Sequence, residues 1–159
     1  MKLWFRRRWC TFGHRPPWIV DDRYEWVWVY IAIAPQSGAC CCLLLPHVDT
    51  ICLNLFLETV REEWPDERIG VVLDGSGSHR SEKVTWPKGI VPLPLPPYSP
   101  ELNPVENLWH YLRAHYWSHG VYPDYDALLE VATETWRTVC MNPEKVRTIC
   151  AAPYLERRT

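Results

Sequence analysis

No apolar run in this chain reaches the length of about 18 residues that a bilayer-spanning helix needs, which speaks against a membrane partner. No Cys-x-x-Cys pair occurs among the seven cysteines. Three are adjacent, Cys40, Cys41 and Cys42, and neighbouring thiols do not easily reach one tetrahedral ion. The others, Cys10, Cys52, Cys140 and Cys150, are scattered. With an odd count and no signal peptide, reduced thiols in a cytosol-like compartment are expected, buried as small apolar side chains. Internal repeats are absent, and no linker is long enough to divide the chain. Net charge is only −2, so bulk charge neither suggests nor excludes nucleic acid.

What is present is material for a core. Apolar residues make up 47% of 159 residues, with ten tryptophans, a composition that argues against disorder and allows a single domain over residues 1–159. Charge is uneven. Lys2, Arg6, Arg7 and Arg8 form a basic strip, compatible with a phosphate contact and equally with a solvated surface; acids dominate between residues 58 and 67.

The pattern along the chain predicts an α/β fold. Glu25 to Ala34 and Ala39 to Leu45 read as strands joined by Pro35-Gln36-Ser37-Gly38 in an antiparallel hairpin. Asp49 or Thr50 caps a helix that ends near Pro65. Ile69 to Leu73 is a short apolar strand, expected to be covered on both faces. Ile90 to Leu95 is a strand whose Pro92 and Pro94 place it at a sheet edge. Pro96 to Pro104 is a proline-rich loop, and Pro92 to Pro100 is expected as a buried connector rather than a polyproline ligand. Helices follow over Pro104 to Trp117, Asp124 to Cys140 and Pro143 to Cys150.

Two acids stand out by position. Asp74 ends the short apolar strand, where open α/β sheets place ligands. Glu106 lies in the first turn of the helix after the proline-rich stretch. Such acids can share hard divalent cations, which prefer carboxylate oxygens. Both have structural readings too: Asp74-Gly75 suits a turn, and Asn103, Pro104 and Glu106 suit a capping box at the first turn.

The wording of the segment is more specific. Ile69-Gly70-Val71-Val72-Leu73-Asp74 with His79 following, then Leu95-Pro96-Pro97-Tyr98-Ser99-Pro100-Glu101-Leu102-Asn103-Pro104-Val105-Glu106-Asn107-Leu108-Trp109, resembles the DDE endonuclease domain of mariner-like bacterial insertion-sequence transposases. Upstream, Trp9-Cys10-Thr11-Phe12-Gly13-His14-Arg15-Pro16 resembles that family's Trp-x-x-x-Gly-x-Arg-Pro element. The resemblance implies a ribonuclease-H-like mixed sheet with flanking helices. It also implies a triad of acids holding two Mg²⁺ or Mn²⁺ ions, with the second acid at Asp74 and the third at Glu106. His79 belongs to the same pattern and is a secondary candidate, for a phosphate contact or for orienting an acid; a surface or capping role is equally open. Arg6, Arg7 and Arg8 are weak DNA-binding candidates. The implied partners are transposon-end and target DNA, with a homodimer or a full-length transposase, in the bacterial cytoplasm.

The pattern also breaks. The family's first acid lies in a first, central strand upstream of the Trp-x-x-x-Gly-x-Arg-Pro element, and here the stretch before Trp9 holds no Asp or Glu. Asp21 and Asp22 are poor substitutes because they follow the element. The expectation is a domain incomplete at its N-terminus and lacking that central strand unless Leu3-Trp4-Phe5 fills it in part. It follows that the isolated chain should be inactive or weak. A different class of function is a non-catalytic fragment that binds DNA or a full-length transposase and modulates transposition.

Overall fold

The computed structural model describes residues 12–13, 26–74, 83–117 and 122–152. Strands β1 (Trp28–Ala34) and β2 (Ala39–Leu45) form the expected antiparallel hairpin, with Trp28 opposite Leu45 and Ala34 opposite Ala39. Gly38 makes the turn possible. Its φ of +77° suits a residue without a Cβ, and its N–H donates to the Ala34 carbonyl at 2.8 Å.

Helix α1 (Thr50–Glu63) begins where Asp49 accepts the Cys52 N–H at 2.8 Å, so of the two candidate caps Asp49 is the one used and Thr50 is the first helical residue. Strands β3 (Ile69–Leu73) and β4 (Ile90–Pro94) then pair in parallel, Ile69 opposite Ile90 and Leu73 opposite Pro94. A 3₁₀ turn at Pro100–Leu102 leads to α2 (Val105–His115). Next come α3 (Tyr125–Thr135), a π-helical turn over Trp136–Cys140, and α4 (Pro143–Cys150). The predicted helix over 124–140 is therefore α-helical only to Thr135. Its last turn widens so that Val139 and Cys140 both point into the core.

The alternation of the hairpin decides which helix covers which face. Val29, Ile31, Ile33 and Cys40 pack with Leu108 and Leu112 of α2, Val139, Cys140, and Val146 and Cys150 of α4. The opposite face offers Tyr30, Ala32, Cys41 and Leu43 to Phe56 and Val60 of α1. That second cluster also contains Ile69 and Val71 of β3 and Ile90 of β4, so α1 is the element common to both strand pairs. Full burial of side chains such as Leu57, Leu108, Leu112 and Val146 stabilises by about 1.5–3 kcal/mol each.

Among the described residues β4 pairs with β3 alone, the edge position that its prolines predict. The Leu95 N–H reaches back to the Leu73 carbonyl, so alternate positions Pro92 and Pro94 aim their missing donors outward. The expectation that β3 is covered on both faces is not met. Ile69 and Val71 pack under α1, whereas Val72 is 39% exposed and its neighbours Val91 and Leu93 on β4 are 56% and 49% exposed. The reason is that α2 and α4 lie over the hairpin, and no other described helix covers this face. Among the described residues the sheets stay two-stranded, with no strand joining β1 to β3. The architecture is mixed α/β, consistent with a ribonuclease-H-like domain. No described helix is long and apolar enough to cross a membrane.

Candidate functional site

Asp74 leaves the carboxyl end of β3 and is exposed. Its position follows from the parallel ladder: the residue before it, Leu73, is opposite Pro94, and the Leu73 carbonyl also accepts the Leu95 N–H at 2.8 Å. Asp74 and the start of the proline-rich loop therefore leave the sheet at the same level.

That loop is built from successive local turns. Tyr98 adopts φ +58° and is fully exposed. The Leu102 N–H donates to the Ser99 carbonyl and the Asn103 N–H to the Pro100 carbonyl, at 3.2 and 2.9 Å. Pro96, Pro97 and Pro100 are exposed as well, which corrects the expectation of a buried connector. Short reverse turns satisfy the backbone locally, so the loop needs no cover. Asn103 is extended, and its Oδ1 accepts the Val105 N–H at 3.4 Å. The Glu106 N–H donates to the Asn103 carbonyl at 3.0 Å. The expected capping box is corrected: Pro104, not Asn103, is the N-cap of α2 and makes no side-chain cap bond, and the Asn103 N–H is taken by the Pro100 carbonyl rather than by Glu106.

Glu106 is half-buried in the first turn of α2. Leu108 and Leu112, essentially without solvent contact, fix the roll of this helix against β1. Glu106 lies about 200° around the axis from Leu108, on the side away from the core. His79, Arg6, Arg7, Arg8, Asp21 and Asp22 fall outside the described residues. Among the described residues no three His, Cys, Asp or Glu side chains gather as a metal site.

The cysteines have a different role. Cys41, Cys52, Cys140 and Cys150 are buried and Cys40 and Cys42 half-buried, all as free thiols. The Cys40 thiol meets Cys140 across the sheet–helix contact, and that hydrogen bond, with burial, drives its pKa upward. Burial pushes Cys41 and Cys150 up to about 11. Such thiols stay protonated and pack as apolar groups.

One feature was not read from the sequence. Asn54 of α1 accepts the Thr85 N–H at 2.9 Å and donates Nδ2 to the Lys83 carbonyl at 3.2 Å. Two turns on, Arg61 Nη1 donates to the carbonyls of Glu67 and Lys88 at 2.9 and 3.1 Å. Together they hold the approach to β4, and Arg61 also holds the entry to β3. A side chain at Gly89 would put its Cβ 2.6 Å from Arg61 Nη1, and Gly89 has φ +89°. The available signal was two polar residues seven apart on one helix, a same-face spacing.

A sequence family described as DDE superfamily endonuclease matches residues 2–129. An uncharacterized protein, y4pE/y4sA, of Sinorhizobium fredii (strain NBRC 101917 / NGR234) is 33% identical over 125 residues, covering 78% of this chain and 93% of that protein.

Proposed function

Because the chain belongs to the DDE superfamily of endonucleases, we propose that it is the catalytic domain of an insertion-sequence transposase, cleaving and joining DNA by metal-dependent phosphoryl transfer. The observation that carries this reading is the placement of Asp74 directly after a parallel strand and of Glu106 at the start of the helix that follows. Hydrolysis breaks a P–O bond at the transposon end and leaves a 3′ hydroxyl. That hydroxyl attacks a target phosphodiester in line, forming one P–O bond as another breaks.

Carboxylate oxygens are hard donors and suit Mg²⁺ or Mn²⁺, which commonly complete their coordination with water and substrate phosphate. Asp74 and Glu106 would hold the ions. A divalent ion, when bound, supplies positive charge for the attacking and leaving oxygens. The two carboxylates position that charge, and the solvent-facing side of α2 leaves room for a DNA strand. Arg6, Arg7 and Arg8 are candidate phosphate contacts, and His79 a candidate secondary site residue. DNA in the bacterial cytoplasm is the substrate, with a second copy or a longer transposase as the protein partner.

The sequence offers two acids at the family's three motif positions, so DNA cleavage by this chain alone is expected to be weak. A second reading is a fragment that binds DNA or transposase without cutting, since the stretch before Trp9 supplies no further acid. Mn²⁺ titration followed by electron paramagnetic resonance, with a nicking assay on duplex DNA, separates them. The catalytic-domain reading expects Mn²⁺ binding that Asp74→Asn and Glu106→Gln each weaken at least tenfold. DNA binding with no metal dependence, unchanged in both variants, would leave only the second reading.

A further inference from the structure

Helix α2 carries more than Glu106 on its outer side. Leu108 and Leu112 lie in the core, and at 100° per residue His110 stands about 200° from both. His110 is exposed. It follows Glu106 by four residues, one turn further on along the same stripe, with a rise of about 6 Å. Arg113 continues the stripe, its Nε donating to the Trp109 carbonyl at 3.2 Å. This face thus presents, in order, a carboxylate, an imidazole and a guanidinium.

The His110 side chain is exposed and makes no hydrogen bond, ion pair or ring contact with another described residue, which leaves the ring open to a ligand. We propose that His110 is a DNA contact, donating a ring N–H to a phosphodiester oxygen of the strand whose reacting phosphate lies at Asp74 and Glu106. The inference rests on the reading of those two acids. A step of about 6 Å spans roughly two nucleotide rises at about 3.4 Å each, so a strand following α2 would carry a flanking phosphate past His110. Phosphate contacts of this kind set register and add affinity without reading sequence. A role as metal ligand beside Glu106 is the competing chemistry, since both side chains share one helix face.

The test uses the full chain, a fluorescently labelled duplex of arbitrary sequence and Mn²⁺, with anisotropy read across a salt series. Circular dichroism melts establish that each variant is folded. His110→Ala is expected to weaken DNA binding several-fold and leave Mn²⁺ binding unchanged. His110→Glu should weaken it more than tenfold. His110→Arg should strengthen it and steepen the salt dependence by about one charge. Met141→Arg, at a 66% exposed position outside α2, should do neither. The proposal is overturned if the Arg and Glu variants at position 110 bind DNA alike, or if His110→Ala abolishes Mn²⁺ binding. If wild type binds neither Mn²⁺ nor DNA, the reading of the acids fails, and this inference with it. If metal and DNA binding both depend on Glu106 but ignore His110, only the inference fails.

Discussion

The Leu73 carbonyl oxygen accepts the Leu95 N–H at 2.8 Å, one position beyond the last register pair of the parallel strands, Leu73 with Pro94. This bond ties the residue before Asp74 to the first residue of the loop that leads to Glu106. Leu95→Pro removes the donor. We predict a loss of about 1 kcal/mol in unfolding free energy and a larger proportional loss of Mn²⁺ affinity, read by denaturant titration and by electron paramagnetic resonance. Unchanged Mn²⁺ affinity would show that this bond does not place Asp74.

Gly38 joins the hairpin to the start of α4. A Cβ there would fall on the Pro143 carbonyl oxygen, and φ is +77°. Neither backbone can yield without moving a packed element. Gly38→Ala should therefore cost about 3 kcal/mol or more, seen as a lowered melting temperature. A loss within experimental error would mean that α4 shifts freely on the hairpin.

Arg61 reaches two carbonyls, and its Nε and Nη2 are buried without a hydrogen-bond partner among the described residues. Arg61→Ala strands the carbonyls of Glu67 and Lys88, with an expected cost of about 1–3 kcal/mol. Gly89→Ala should be similarly damaging, since it pushes against the same guanidinium. Combined, the two changes should cost less than their sum, because both break one contact. Strict additivity in a double-mutant cycle would contradict the clamp.

Alkaline stability depends on the thiols. Burial raises Cys41 and Cys150 from the ordinary 9.0 to about 11. Between those values the unfolded chain has lost thiol protons that the folded chain keeps, so stability falls as pH rises. It is fully present below about 9 and lost progressively towards about 11. Replacing Cys150 with Ala should flatten that part of the stability profile measured by urea titration. An identical slope would show that Cys150 does not contribute to it.

Much of this arrangement was legible in the residues. Asp49 announced the start of α1, the β-branched and aromatic run before Pro35 announced β1, and Pro92 and Pro94 marked β4 as an edge strand. These signals are local: a cap bonds three residues away, and a proline lacks its own N–H. Asp74 and Glu106 were legible as candidates because each sits at the end of an element whose limits the sequence marks. The exposed face of Val72, Val91 and Leu93 was not legible, since an apolar strand reads the same whether one face or two are covered.

By itself, then, the sequence determined the order and kind of the elements, the edge character of β4 and the acids that bracket the proline-rich loop. Tertiary structure alone decided that α1 covers both strand pairs while α2 and α4 cover only the hairpin. It also decided that Arg61 closes over the Gly89 turn and that Leu108 and Leu112 turn Glu106 and His110 outward together. Those outcomes depend on which surfaces meet, and side chains far apart in the chain compete for the same buried space.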